Sequence, residues 1–209
     1  MRFLIALLFM ADLARADGEK AGDFDYYVMA LSWFPTWCAL EGDDRNSPQC
    51  DPDADFGWVL HGLWPQYESG WPSYCPTNER NPSRADTRDE SDLYGSSGSA
   101  WHQWNKHGKC TGLSASNYYR LSREAYSRIN RPELLRKLED PIRLPASVIE
   151  QAFLESNPNL SADQITITCK ASRIQEARVC LTRDLEPRAC GADVSRDCRM
   201  SDALLDPIR

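Results

Sequence analysis

The sequence is poor in histidine and in positive charge. Three histidines occur in 209 residues, and 24 Lys and Arg stand against 31 Asp and Glu. A net charge of −7 excludes a protein that coats nucleic acid through broad basic surface, because that mode of binding needs many cations. No Cys-x-x-Cys pair occurs, which argues against a structural zinc site. Past the N-terminus, no apolar run approaches the ~20 residues that span a bilayer. Internal repeats, linkers and low-complexity tracts are also missing, so one domain of mixed α+β class is the economical expectation.

The chain does carry the marks of export. Met1-Arg2 gives a positive start, Phe3 to Met10 is apolar throughout, and Ala14-Arg15-Ala16 matches a small-x-small cleavage site. These features predict a signal peptide over 1–16 and a mature domain over 17–209, with 22 basic and 30 acidic residues. All eight cysteines fall in that mature part, and an even count behind an export signal predicts four disulfides. The destination is a periplasm, the extracellular space, or a lysosome or vacuole. Asn159-Leu160-Ser161 is a glycosylation sequon, relevant only to a eukaryotic route.

Residues 24–33 are aromatic and β-favouring and predict a strand. Trp58 to Leu63 predicts a second, stopped by Trp64-Pro65. Loops are expected over 41–55 and 66–99. Helices are expected at Trp101–His107, at Ser116–Asn130, after Pro132, and at Ser147–Glu155 with Ser147 as N-cap. Ile165–Cys169 alternates like a strand, and Ala177–Leu181 is its expected partner. The charged run 183–199 reads as solvated surface.

All three histidines sit in aromatic-rich strings. One is Trp58-Val59-Leu60-His61-Gly62-Leu63-Trp64-Pro65, the other Trp101-His102-Gln103-Trp104-Asn105-Lys106-His107-Gly108-Lys109-Cys110. On a helix with His102 at 0°, Lys106 falls at about 40°, Gln103 at about 100° and His107 at about 140°. Trp101 and Trp104 fall on the other side and are expected, with Trp58, to pack in the core. A zinc helix prefers histidines four apart with an acid nearby. Here they are five apart with Lys106 between, and a cation opposes a metal. Lysine and histidine together suit phosphate. Two imidazoles then supply the base and acid that RNA cleavage requires, with the 2′-hydroxyl as nucleophile. Trp64 is a candidate base-stacking platform, and Trp71 and Tyr74 are weaker ones.

The two strings resemble the active-site segments of the ribonuclease T2 family, whose second segment reads His-Glu-Trp-x-Lys-His-Gly-Thr-Cys. The resemblance extends over most of residues 24–200 and is sharp at the two motifs. It implies an α+β fold with a central antiparallel sheet flanked by helices. It also implies an endoribonuclease that cuts single-stranded RNA through a 2′,3′-cyclic phosphate, without metal or cofactor. By that analogy His61 is the general acid and His107 the general base. His102 binds phosphate, Lys106 stabilises the pentacovalent intermediate, and Trp64 helps form a base pocket. Analogy and spacing pair Cys38–Cys50, Cys75–Cys110, Cys169–Cys198 and Cys180–Cys190. Gln103 departs from the family's Glu, and Lys109 from its Thr. The implied partner is RNA, with no DNA cleavage and no membrane association after processing, and a monomer is the default. The rival reading is a secreted RNA binder or effector with weak or lost catalysis, with Gln103 as its sign.

Overall fold

In the computed structural model, which describes residues 19–209, the aromatic run after residue 24 becomes the middle of a sheet. In chain order the elements are β1 (Tyr26–Trp33), α1 (Phe34–Trp37), β2 (Trp58–Gln66), α2 (Arg84–Asp89), α3 (Ser91–Tyr94), α4 (Ser97–Lys106), α5 (Ala115–Arg128), β3 (Ile142–Leu144), α6 (Ala146–Ser156), β4 (Ile165–Lys170), β5 (Arg173–Leu181) and β6 (Ala203–Leu205). The expected signal peptide at 1–16 lies outside the described residues. The sheet order is β2-β1-β5-β6-β3, and β4 also pairs with β5. All pairings are antiparallel except one short parallel contact between β5 and β6. The fold is therefore α+β, as the sequence pattern indicates.

The two faces of β1 do different work. Tyr27, Met29, Leu31 and Trp33 join the main core with Trp104 of α4, Tyr118 of α5 and Phe153 of α6. Tyr26 and Val28 point to the opposite face, where Val194 and the Cys180 side chain meet them. This is the period-2 alternation of a strand. On that second face β1 continues with only Ala30 and Ser32, so the middle of the sheet is low there.

A β-bulge breaks the β1–β2 register: Ala30 faces Gly62 and Leu31 faces Leu60, which leaves His61 unpaired. The bulge flips the parity of β2. Leu60 before it and Leu63 after it both enter the core, while Trp64 turns to the second face. Bulges commonly re-aim a side chain in this way.

Several elements differ from the sequence reading. β2 runs on through Trp64-Pro65 to Gln66, because β2 ends the sheet order and an edge strand tolerates proline. The expected loop 66–99 contains α2 and α3, α2 being started by a capping box between Ser83 and Asp86. α4 begins at Ser97, four residues early, on a Ser96 cap. After Pro132 only a 3-10 turn forms, Glu133–Lys137. α6 starts at Ala146 with Pro145, not Ser147, at its cap position. The run 183–199 is more than surface, since Val194 is buried and Cys190 and Cys198 are bridged. Strands β3 and β6, three residues each, were not foreseen.

Four disulfides link Cys38–Cys50, Cys75–Cys110, Cys169–Cys198 and Cys180–Cys190. Cys75–Cys110 ties the segment before α2 to the end of the α4 region, and the Tyr74 backbone N–H donates to the Lys106 carbonyl beside it. Among the described residues, no helix is long and apolar enough to cross a membrane.

Candidate active site

The site forms where the second face of β2, β1 and β5 meets the polar side of α4. His61 stands on the β2 bulge with nearly half its side chain in solvent. Its Nδ1 donates to Glu176 Oε1 at 2.5 Å, across the small Ala30 and Ser32 of β1. Glu176 is only 1% exposed. Its other oxygen accepts from Arg178 Nε at 2.9 Å and Nη2 at 2.7 Å. Burial acts to raise the Glu176 carboxyl, but the hydrogen bonds and charges of His61 and Arg178 outweigh it and hold the group below the usual carboxylate range. An ionised, fully bonded carboxylate thus fixes the ring of His61 and leaves Nε2 free.

Trp64 is the hub between sheet and helix. Its ring meets His61 edge-on at 5.1 Å and stacks on His107 at 5.3 Å. The Arg178 guanidinium lies 5.5 Å from the indole centre. Trp64 Nε1 donates to Gln103 Oε1 at 2.8 Å. The glycine of His-Gly-Leu-Trp has a steric reason: a Cβ on Gly62 would lie 2.2 Å from both Gln103 Oε1 and Trp64 Nε1.

α4 supplies the remaining groups. His102 is exposed, Lys106 is half-buried, and His107 closes the helix at 5% exposure. His107 Nδ1 is buried with no hydrogen-bond partner among the described residues. Burial first, then the charges of Lys106 and the other two histidines, push His107 down to about 3. Burial and Lys106 also lower His102. Lys106 has no ion-pair partner among the described residues, whereas Lys109 is tied to Asn105 at 2.7 Å.

Two cavities flank this set. One, of about 230 Å³, is lined by His61, Trp64, Trp71, Lys106, His107 and Arg178, with His102, Gln103, Asp193 and Val194 also reaching it. The other, of about 660 Å³, lies against His61 and His102 and is walled by Ser32, Trp33, Glu41, Ser99 and Gln175. The structure therefore brings together His61, Trp64, Trp71, His102, Gln103, Lys106 and His107. Tyr74 is exposed but lines neither cavity. No group of three or more His, Cys, Asp or Glu among the described residues is placed to hold a metal ion.

Sequence reasoning missed Glu176, Arg178 and Asp193. The signal for the first two was present: a Glu and an Arg two apart in the strand Arg173–Leu181 must share one face. Trp101 corrects an expectation. Trp58 and Trp104 are buried, but Trp101 is 40% exposed. The buried arc of α4 holds Ala100, Gln103 and Trp104 with His107 after it, and Trp101 flanks this arc rather than facing the core.

A model of the ribonuclease T2 family matches residues 24–190. A ribonuclease from Aeromonas hydrophila is 40% identical over 153 residues, covering 70% of this chain and 64% of that protein. The extracellular ribonuclease LE of Solanum lycopersicum is 29% identical over 153 residues, covering 66% of this chain and 63% of that one. The chain thus spans less than two thirds of these curated relatives. Among solved structures, an RNase-related protein from Calystegia sepium aligns at TM-score 0.67 and 19% identity, over 89% of this chain and 98% of that one. RNase NT, solved in complex with 5′-AMP, aligns at 0.64 and 19%, over 90% and 100%. The solved structures carry the fold, and the match over residues 24–190 places this chain in the ribonuclease T2 family.

Proposed function

We propose that this protein is an exported endoribonuclease that cleaves single-stranded RNA by transphosphorylation. The observation that carries the reading is the convergence of His61, His102, Lys106 and His107 on one cleft, with an ionised carboxylate behind His61 and a neutral ring at His107. His107 removes the proton of the 2′-hydroxyl. That oxygen attacks the adjacent phosphorus, and the P–O5′ bond breaks. His61 gives a proton to the departing 5′-oxygen, so the products are a 2′,3′-cyclic phosphate and a 5′-hydroxyl end.

The environments suit these roles. A base must start unprotonated, and His107 is neutral at neutral pH. The negative phosphate, once bound beside it, offsets the charge of Lys106 and makes the ring a stronger base. Glu176 fixes the proton on His61 Nδ1 and balances a positive ring, as a carboxylate behind a catalytic imidazole does. Lys106 and His102 face the charge that builds on the phosphorane oxygens. These groups supply both proton transfers and the charge stabilisation, so the scheme calls for no metal or cofactor. Trp64 and Trp71 offer aromatic surface to a base in the smaller cavity. DNA lacks the nucleophile and is not cut.

The leader at 1–16, four disulfides and the extracellular tomato relative support export of residues 17–209, read as a single domain with a monomer as the default state. The test is direct. The mature protein, with excess EDTA, is given single-stranded RNA and matched DNA. Cleavage of RNA alone, with 2′,3′-cyclic phosphate ends, is expected. A correctly bridged protein that cuts nothing from pH 4 to 8 defeats the reading and leaves the RNA-binding alternative.

A further inference from the structure

We propose that Trp101, Arg84 and Arg88 form an outer subsite that holds one further nucleotide of a single-stranded RNA, beyond the cavities that flank the histidines. This rests on the ribonuclease reading above.

Trp101 is a large indole left 40% exposed on α4, immediately before His102. A lone exposed tryptophan carries no meaning by itself. This one shares an open groove of about 650 Å³ with two arginines of α2, Arg84 and Arg88. The two are four residues apart, so they project from one side of that short helix. Neither guanidinium is in an ion pair among the described residues. The acids nearby are occupied or turned away. Asp86 is engaged in the Ser83 capping box, and Glu90 and Asp92 both bind Arg123. Asp89 lies about 100° around α2 from Arg88. In a chain of net charge −7, two adjacent free arginines beside an exposed aromatic make a local anion site.

The groove adjoins the larger cavity of the reaction centre. Gly98 lines both it and the larger cavity that reaches His61 and His102. As a glycine, Gly98 puts no side chain between them. A base is recognised by stacking on the indole, and its phosphate by the guanidinium pair. Every base has a π face, so the contact is sequence-tolerant. It adds affinity for long strands and none for the shortest substrate, which ends before the groove.

The experiment compares kcat/KM on a dinucleoside monophosphate and on an eight-nucleotide single-stranded RNA. Wild type is expected to prefer the longer substrate. Trp101→Ala, and separately the double variant Arg84→Ala/Arg88→Ala, are expected to lose about tenfold on the octamer and less than about twofold on the dinucleotide. The double variant's salt slope on the octamer is expected to flatten by about 0.7, for the one phosphate no longer neutralised. The dinucleotide rate also reports correct folding and an undisturbed His102. If octamer and dinucleotide rates fall together, or the octamer rate does not fall, the subsite does not exist and the ribonuclease reading stands. If wild type cuts neither substrate, the ribonuclease reading fails and this one fails with it.

Discussion

His61 and His107 are the same side chain in opposite surroundings. His61 rises from a sheet bulge, half in solvent, with Nδ1 on a buried carboxylate that Arg178 bonds twice. His107 closes a helix, is buried, stacks on Trp64 and has an unpartnered Nδ1. The sheet ties its histidine through charge and hydrogen bonds, while the helix encloses its own in apolar contact. Burial thus lowers the proton affinity of the His107 ring, while Glu176 orients His61 and gives it a counter-charge, a contrast of the kind an acid and base pair would use. The unsatisfied nitrogen of His107 costs stability, and burial keeps the ring neutral.

The largest effect should separate the two rings by role. His61→Ala and His107→Ala are each expected to lower kcat/KM on RNA by about 10³-fold. A uridine 3′-phosphoester with a 4-nitrophenolate leaving group departs without a proton. On that substrate His61→Ala should recover most of its loss, and His107→Ala should not. Equal loss for both variants on the activated ester would break the division into acid and base.

The second effect concerns stability. The folded His107 sits at about 3, below the unfolded value near 6.5, so the folded state binds fewer protons between those values. Its contribution is complete above pH 6.5 and is lost as pH falls toward 3. Between pH 6.5 and 4 the wild type should lose on the order of 3 kcal/mol from this one ring. His107→Gln should lack that part of the slope in urea unfolding. Identical pH dependence in the two proteins would mean that the ring is open to protons in the folded state.

How much of this contrast was legible follows from the range of each interaction. The histidines, Lys106 and Gln103 are visible because the helix period and a short motif place them within a few residues. Gly62 is explained by contacts with Gln103 and Trp64, and only the first of those is remote in sequence. Glu176 lies 115 residues from His61, and no local period connects a β2 bulge to β5. The bulge itself is a register event between strands with no local signature, and the sequence pattern stops β2 at Leu63 because Pro65 is tolerated only through the strand's place at the sheet edge. Likewise β3 and β6 are three-residue strands that pair with each other across some sixty residues. Trp101 was misplaced for a different reason. The helix begins earlier than its motif, and the buried arc is centred on Ala100 and Trp104.

A third experiment sharpens the sheet side. Glu176→Gln keeps the shape of the side chain and removes the charge behind His61. We expect kcat on RNA to fall by about 10- to 100-fold or more with KM nearly unchanged, since a carboxylate behind a catalytic imidazole holds its orientation and tautomer. Because Glu176 acts through His61, the 4-nitrophenolate substrate should be almost indifferent to the change. A matching loss on both substrates would make Glu176 a structural residue only.

The smallest effect tests the helix side at Gln103, where the family carries Glu. The amide accepts one bond, from Trp64 Nε1 at 2.8 Å, and a carboxylate oxygen can accept the same bond in the same place. Gln103→Glu should therefore preserve the hub, and kcat/KM at pH 7 should change by less than about threefold. What the variant adds is a negative charge one helical turn before His107 and beside Lys106. That charge opposes the effect of Lys106 on His107, so the ring should protonate at a higher pH than the wild-type ring. The acidic limb of kcat/KM, which reports the base of the free enzyme, should move up by roughly half a unit to one unit. A limb that stays in place would show that His107 is governed by burial alone. A loss beyond about tenfold would show that the cleft is built around the neutral amide, and that Gln103 is a requirement of this chain rather than a tolerated replacement.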